Sequence, residues 1–251
     1  MSHSDTTTAR SGDGARAEFA FWRDHTTISL QPVAAPSILG LYGFAVATFM
    51  VAANLAGWYG DGIITPLILF PFALTFGGIA QLLAAMWAYR ARDGLATGIH
   101  GAWGSFWIAY GIYQLLVAVA VLPAIVVNTA AAVAFGYWFI GLAAITWVGF
   151  VAALAENLAN SLFLLALAAG STLLAIGYTT ILPGLVTVGA ILLVASAVLA
   201  WYTASAMVLQ GTTKRVMLPM GVRGQPQAPG ALVPRQPIQY EAGEPGVKIG
   251  Q

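Results

Sequence analysis

Few residues of this chain could do chemistry, and most of them lie within long apolar stretches. Gln81 is the most informative, because a buried amide is unfavourable unless it finds hydrogen-bond partners or faces water. Two interpretations stay open for Gln81: a bond between packed helices, or a place on a polar path. His100 also has two interpretations. It could be an interfacial histidine at a helix end that faces headgroups or water, or a group that relays protons or gates a transport path. The aromatic residues Phe44, Trp103, Phe106 and Trp107 are typical, by composition alone, of core packing or interface anchoring.

The sequence has no motif typical of an enzyme. It contains no HExxH, no GxSxG and no glycine-rich phosphate loop, and it has no cysteine. The net charge is +1, and no basic stripe with interleaved aromatic residues appears, so nothing indicates nucleic-acid binding. We therefore expect no enzyme activity, no catalytic residue, no metal and no cofactor.

The charge pattern identifies the solvent of these apolar stretches. From Asp93 to Thr213 the chain has 121 residues without Lys or Arg, and its only acids there are Asp93 and Glu156. Each charged residue at the centre of a membrane helix costs about 2.5–3.5 kcal/mol on insertion scales, so a lipid environment explains the lack of charged residues. A water-soluble protein needs more charge on its surface to stay in solution. The pattern predicts an all-α, multi-pass membrane protein.

Turn signals divide the apolar part into six segments, each near the roughly 20 residues that a spanning helix needs. The predicted segments are Ser37–Ala56, Ile63–Tyr89, Gly101–Val127, Thr129–Ala153, Ala159–Leu182 and Gly184–Gln210. The cuts at Asn128 and Pro183 divide nearly continuous apolar runs by length alone. Pro66 and Pro71 predict a bend in the second segment, because proline removes a helix hydrogen bond.

The cations predict the orientation. With six spans, all ten Lys and Arg residues fall on one side and none falls on the other. The positive-inside rule makes the side with the cations cytoplasmic, which places both termini there. We expect the protein in the inner or plasma membrane. The predicted domains are a cytoplasmic extension (1–36), a six-helix transport domain (37–210) and a cytoplasmic, largely disordered tail (211–251).

Several local motifs, in order along the chain, are similar to those of a known family. Ala35–Phe44 resembles the NPAPLGLxGF signature of the acetate uptake transporter family, the bacterial succinate–acetate permeases and fungal acetate transporters. Signature positions matched here are Pro36, Leu39, Gly40, Leu41 and Gly43. Further blocks that look like those of the family are Phe76–Gln81, Met86–Arg90, Ala102–Trp107, Leu173–Gly177 and Arg215–Pro219.

The resemblance implies a six-helix transporter of acetate and related small carboxylates, assembled as a homo-hexamer with a path through each protomer. The family's narrowest constriction is formed by a Phe, a Tyr and a Leu, which by motif position resemble Phe44, Trp103 and Leu167. The path-lining or substrate-binding residues that we predict are Thr48, Gln81, Ala200 and Tyr202. Three positions depart from the family pattern: Ala35 stands for the leading Asn, Ile38 for the second Pro, and Ala88 for a common acidic residue.

A mechanism follows as a hypothesis. Acetate is almost wholly ionised near neutral pH, and no cation inside the helices can neutralise it. Neutral donors such as Gln81, the Trp103 indole and helix N-termini would hold the carboxylate, which would cross together with a proton. The alternatives are an uncoupled channel for small solutes such as ammonia or neutral acids, and a membrane scaffold that transports nothing.

Overall fold

A computed structural model describes residues 34–222. Of the predicted terminal segments, only residues 34–36 and 211–222 belong to the described part, and the rest lies outside it. The helices are α1 (Ser37–Leu55), α2 (Ile64–Phe72), a π-helical segment (Ala73–Ala80), α3 (Gln81–Ala91), α4 (Gly94–Ala118), α5 (Thr129–Ala153), α6 (Leu158–Thr179) and α7 (Pro183–Thr213). A single 3₁₀ turn, Ile125–Val127, precedes α5. Since α2, the π-helical segment and α3 form one helical run of 28 residues, the described chain has six spans.

Among the described residues, five spans are long and apolar enough to cross a membrane. The sixth, α4, has 25 residues and is less apolar, since it includes His100, Gln114 and several glycines. The only β pairing in residues 34–222 is the isolated bridge Asn157–Val222. The predicted all-α, multi-pass membrane fold is confirmed.

Side-chain caps explain where three helices begin. Asp93, Asn128 and Asn157 each accept a hydrogen bond from a backbone N–H three residues later, which satisfies a donor that the first turn leaves unpaired. Helix α7 instead begins with Pro183 at its first position, where the missing N–H costs nothing. The predicted cuts at Asn128 and Pro183 are therefore confirmed.

The third predicted segment, Gly101–Val127, was placed wrongly. The helix begins at Gly94, because Asp93 caps it, and it ends at Ala118. Ala120 then adopts a left-handed conformation (φ 59°), and Pro123 follows in the loop. His100 consequently lies more than one turn inside α4 and not at a helix end.

The second span contains a π-helical segment next to its proline. Pro71 lies inside α2, and the π-helical segment begins at Ala73. Proline leaves one carbonyl without its helical donor, and a change of helical winding is one way to accommodate this. The bend predicted from Pro66 and Pro71 stays a prediction, and the structure shows a change of helical winding beside Pro71.

The six spans pack as a closed ring in chain order. Helix α1 packs against the π-helical segment and α3, these pack against α4, and α4 packs against α5. The ring continues from α5 to α6 and from α6 to α7, and α7 packs against α1. A ring of this kind places one face of every span toward a shared interior.

The chain after α7 returns to the bundle. The carbonyls of Met220 and Gly221 accept hydrogen bonds from Ala159 and Leu158, the first residues of α6. The Tyr202 hydroxyl donates to the Pro219 carbonyl at 2.8 Å. The first part of the predicted tail is thus held against the helices as far as Val222.

Candidate functional site

Two cavities open into the interior of the ring from opposite ends. The large cavity has a volume of about 260 Å³ and reaches from Trp103 to Asn54 and Val126, near the C-terminal end of α1 and the loop before α5. The charged-end cavity has a volume of about 40 Å³ and includes Asp93 and Glu156, near the N-termini of α4 and α6. No residue that lines the large cavity carries a charge.

Apolar side chains separate the two cavities. On α6, Phe163 lines the charged-end cavity and Leu174 lines the large cavity, so Leu167 lies between them. On α1, Phe44 lies in the same way between Leu41 and the large cavity. Both Phe44 and Leu167 are almost fully buried and line neither cavity.

Trp103 completes this region, which we call the waist (Phe44, Trp103 and Leu167). The Phe44 and Trp103 rings meet edge to face, with centroids 5.8 Å apart and planes at 82°. The Phe44 ring also packs against Phe163 at 6.2 Å. The three residues predicted to form a constriction, from α1, α4 and α6, thus belong to one buried apolar cluster. Trp103 also forms part of the wall of the large cavity.

The Trp103 indole is not available as a carboxylate donor, contrary to our expectation. Its Nε1–H donates to the Thr146 hydroxyl on α5 at 3.0 Å, within the buried interior. That hydroxyl in turn donates to the Leu142 carbonyl at 2.6 Å. These two bonds hold the ring by its polar edge, so Trp103 presents carbon atoms at the waist.

An aromatic wall continues from the waist into the large cavity. Trp103, Phe106, Trp107 and Tyr110 recur every three or four residues and so share one face of α4. Neighbouring ring centroids along this face are 5.0–5.5 Å apart. Within this wall, the Trp107 indole N–H and, on α1, the Thr48 hydroxyl have no hydrogen-bond partner among the described residues.

Gln81 and His100 form a buried pair between neighbouring helices. The Gln81 Nε2 donates to the Gly77 carbonyl at 2.7 Å, and its Oε1 lies 3.3 Å from His100 Nδ1. Gln81 lines neither of the two cavities, so its path-lining role stays a prediction. The interfacial interpretation of His100 is wrong, because its side chain is 3% exposed and forms part of the wall of the charged-end cavity.

A signature glycine makes room for this pair. A Cβ on Gly40 would lie about 2.5 Å from the His100 ring, so only glycine permits this approach of α1 to α4. Gly43 has the same role against the Phe76 carbonyl of the π-helical segment.

The remaining predicted residues have other positions. Pro36 lies at the N-cap of α1, Leu39 is half exposed, and Leu41 lines the charged-end cavity. Ala200 is fully buried on α7, and like Tyr202 it lines neither of the two cavities.

The acids lie at the ends of the bundle. Burial raises the pKa of Glu156, although a bond from Asn160 Nδ2 at 2.7 Å opposes this shift. At the opposite end, backbone N–H bonds from Ile64 and Ile63 lower the pKa of the fully exposed Asp61. A solute would therefore meet acidic groups at the charged end and none around the waist.

The family of the chain follows from its match to a family model. The model of the GPR1/FUN34/yaaH family matches residues 21–221, which include the whole ring of helices. The chain belongs to the GPR1/FUN34/yaaH family. The resemblance carried by the sequence motifs is confirmed.

Relatives of this GPR1/FUN34/yaaH protein carry names that denote transport. Ammonia transport outward protein 2 of Saccharomyces cerevisiae is 28% identical over 188 residues, 73% of this chain and 64% of the relative. The succinate-acetate/proton symporter SatP of Escherichia coli is 32% identical over 92 residues, 36% of this chain and 43% of the relative. The chain thus covers less than two thirds of the length of each of these relatives.

A solved structure shares the fold of this GPR1/FUN34/yaaH protein. The structure of the bacterial acetate channel SatP matches with a TM-score of 0.68 at 24% identity, over 76% of this chain and 100% of that chain. At this sequence identity, the match shows a shared fold and nothing further.

Sequence reasoning missed three features of the site. Trp107 was assigned to core packing or anchoring, although its spacing of four residues from Trp103 on one helix already places the two rings on the same face. Thr146 and Phe163 gave no signal, since their contacts with the waist join residues at least 43 positions apart in sequence.

Proposed function

We propose that this protein moves acetate and related small carboxylates across the membrane through the interior of each protomer. One observation supports the proposal: two cavities approach from opposite ends, and the apolar waist lies between them. A largely apolar cavity with a few polar groups is typical of a site for a small organic ligand. The names of the relatives support a carboxylate as that ligand.

We propose further that a proton crosses with the substrate. Acetate is ionised near neutral pH, and transfer of a bare carboxylate past the waist is prohibitive. No Lys or Arg lines either cavity, so no fixed cation can compensate the charge. Crossing as the neutral acid, or in symport with a proton, avoids this barrier.

The experiment is uptake of labelled acetate into proteoliposomes that contain the purified full chain. We expect saturable uptake that an inward proton gradient accelerates and that unlabelled short carboxylates inhibit. Uptake that does not depend on the gradient would contradict proton coupling.

Phe44→Ala is expected to increase the flux and admit larger carboxylates, because it removes a ring from the waist. If neither the wild type nor Phe44→Ala carries flux although both assemble normally, a scaffold that transports nothing is favoured.

An uncoupled channel for ammonia or neutral acids is the second candidate. An uncharged waist favours neutral solutes, and one relative is named for outward ammonia transport. Non-saturable flux of ammonia without competition by acetate would select this candidate.

The proposed assembly is a homo-hexamer, as the family resemblance implies. Large apolar side chains on the outside of the ring, among them Trp87, Trp138 and Val148, are 41–72% exposed in the single chain. Lipid or neighbouring protomers would cover such surface. Native mass spectrometry of the purified protein tests the stoichiometry.

A further inference from the structure

The two unpartnered polar atoms of the large cavity require an explanation. The Trp107 side chain is 3% exposed and the Thr48 side chain 1%, yet neither the indole N–H nor the hydroxyl bonds to any described residue. A buried donor without a partner costs about 1–3 kcal/mol, so proteins rarely retain one without a reason.

Two tryptophan–threonine pairs elsewhere in the described bundle are satisfied, whereas the buried Ser171 hydroxyl of α6, which lines neither cavity, also has no partner. The indoles of Trp103 and Trp147 donate to threonine hydroxyls at 3.0 and 3.1 Å. The hydroxyls of Thr146 and Thr172 donate to the carbonyl four residues earlier, the usual bond of a helical threonine. Thr48 does not make this bond, and Trp107 has no threonine at its indole.

Both groups line the large cavity, and the Trp107 ring and α1, the helix that carries Thr48, approach the same glycine. A Cβ on Gly77 of the π-helical segment would lie 2.6 Å from Trp107 Cγ and 2.7 Å from the Ala47 Cβ. The Trp107 ring and α1 therefore both contact Gly77. The contact residue on α1 is Ala47, which directly precedes Thr48. Both Thr48 and Trp107 line the cavity, on the side of the waist away from the charged end.

We propose that Trp107 and Thr48 form a docking subsite for the carboxylate group of the substrate in the large cavity. This inference rests on the proposed function and assigns to Trp107 the donor role that Trp103 does not fill. An indole N–H can only donate, so its ligand must carry an acceptor. A carboxylate or carboxylic acid offers acceptors to both groups, whereas an ammonium ion has no lone pair and gains nothing from Trp107.

The edges of the subsite suit a short organic acid. Rings of Trp103, Phe106 and Tyr110 adjoin Trp107 and would contact the alkyl part of the ligand. Neutral donors hold a carboxylate without a fixed cation, which permits its release toward the waist. A volume of about 260 Å³ leaves room for the ligand together with water.

The test removes each donor, and the replacements keep an aromatic ring at Trp107 and a side chain of the same shape at Thr48. Trp107→Phe and Thr48→Val are compared with Trp147→Phe and Thr172→Val, which remove the same groups from a pair outside the large cavity. In reconstituted full-length protein, we expect each cavity variant to raise the half-saturating acetate concentration about tenfold, since hydrogen bonds to charged groups are the stronger ones. The control variants are expected to keep the wild-type value.

A second measurement separates this inference from the proposed function. Acetate binding to purified wild type and variants is measured by saturation-transfer NMR, with ammonium as the comparison ligand. Acetate that binds Trp107→Phe and Thr48→Val as it binds wild type would overturn the subsite, even if uptake is normal. No acetate uptake by wild type would overturn the proposed function instead, whatever the variants do.

If Trp107→Phe does not fold, the pair Thr48→Val and Thr48→Ser decides. Serine keeps the hydroxyl, so weaker binding in Thr48→Val alone supports the subsite. Equal binding in the two variants contradicts it.

Discussion

At the scale of single residues, the hydrogen bonds of the two tryptophans on one face of α4 differentiate their roles. Trp103 and Trp107 are one turn apart, and both line the large cavity. The Trp103 N–H is bonded to Thr146, whereas the Trp107 N–H has no partner among the described residues. An indole whose N–H is already hydrogen-bonded offers only its carbon atoms to the cavity. An indole whose N–H has no partner can donate a hydrogen bond to a ligand.

Thr146→Val tests whether this bond holds the waist. Valine keeps the shape of threonine but leaves the Trp103 N–H buried without a partner, which costs about 1–3 kcal/mol. We expect a lower melting temperature in detergent and faster acetate flux, because the ring is no longer held by its polar edge. Thr172→Val breaks the same kind of bond away from the large cavity and is expected to leave the flux unchanged. Equal flux in the two variants would show that the bond does not position the waist.

At the scale of elements, the π-helical segment allows the close approach of three spans. Its Gly77 faces both α1 and α4, with no room for a Cβ between the Trp107 ring and Ala47. Gln81, one turn later, donates to the Gly77 carbonyl and also contacts His100 of α4. Local backbone winding and close packing thus set the position of the cavity wall.

Gly77→Ala is the corresponding prediction. The added methyl group must displace Trp107 or α1, and such overpacking costs about 1–3 kcal/mol. The matched control is Gly141→Ala on α5, where a Cβ meets nothing within 4 Å. Alanine there is expected to be neutral or to stabilise by about 0.5–1 kcal/mol, as at an open helical site. Thermal unfolding of the two purified variants measures the difference, and similar melting temperatures would contradict the packing argument.

At the scale of the whole molecule, charge is confined to the ends of the ring. Arg90, Arg92, Lys214 and Arg215 all lie at the end that holds the charged-end cavity, whereas Asp61 lies at the other. The positive-inside rule predicts that the end with these cations faces the cytoplasm.

Cysteine labelling tests this orientation, because the chain has no native cysteine. Trp58→Cys lies in the exposed loop after α1, and Thr212→Cys lies in the last turn of α7. In intact cells we expect a membrane-impermeant maleimide to label Trp58→Cys alone, and permeabilised cells to label both. Labelling of Thr212→Cys in intact cells would reverse the orientation.

The sequence alone determined the solvent, the number of spans and the family. These depend on local composition and short motifs, which is why the span Thr129–Ala153 was predicted to the residue. The third span was misplaced, because the cap at Asp93 and the left-handed Ala120 are details of backbone conformation that apolar content does not report.

Only the tertiary structure decided which polar groups are free to bind a ligand. Thr146 satisfies Trp103, and His100 meets Gln81, through contacts between helices that periodicity within one helix cannot predict. Hydrogen bonding is a pairwise property of groups distant in sequence. The available donors of the large cavity, Trp107 and Thr48, therefore become visible only when the other helices have been placed.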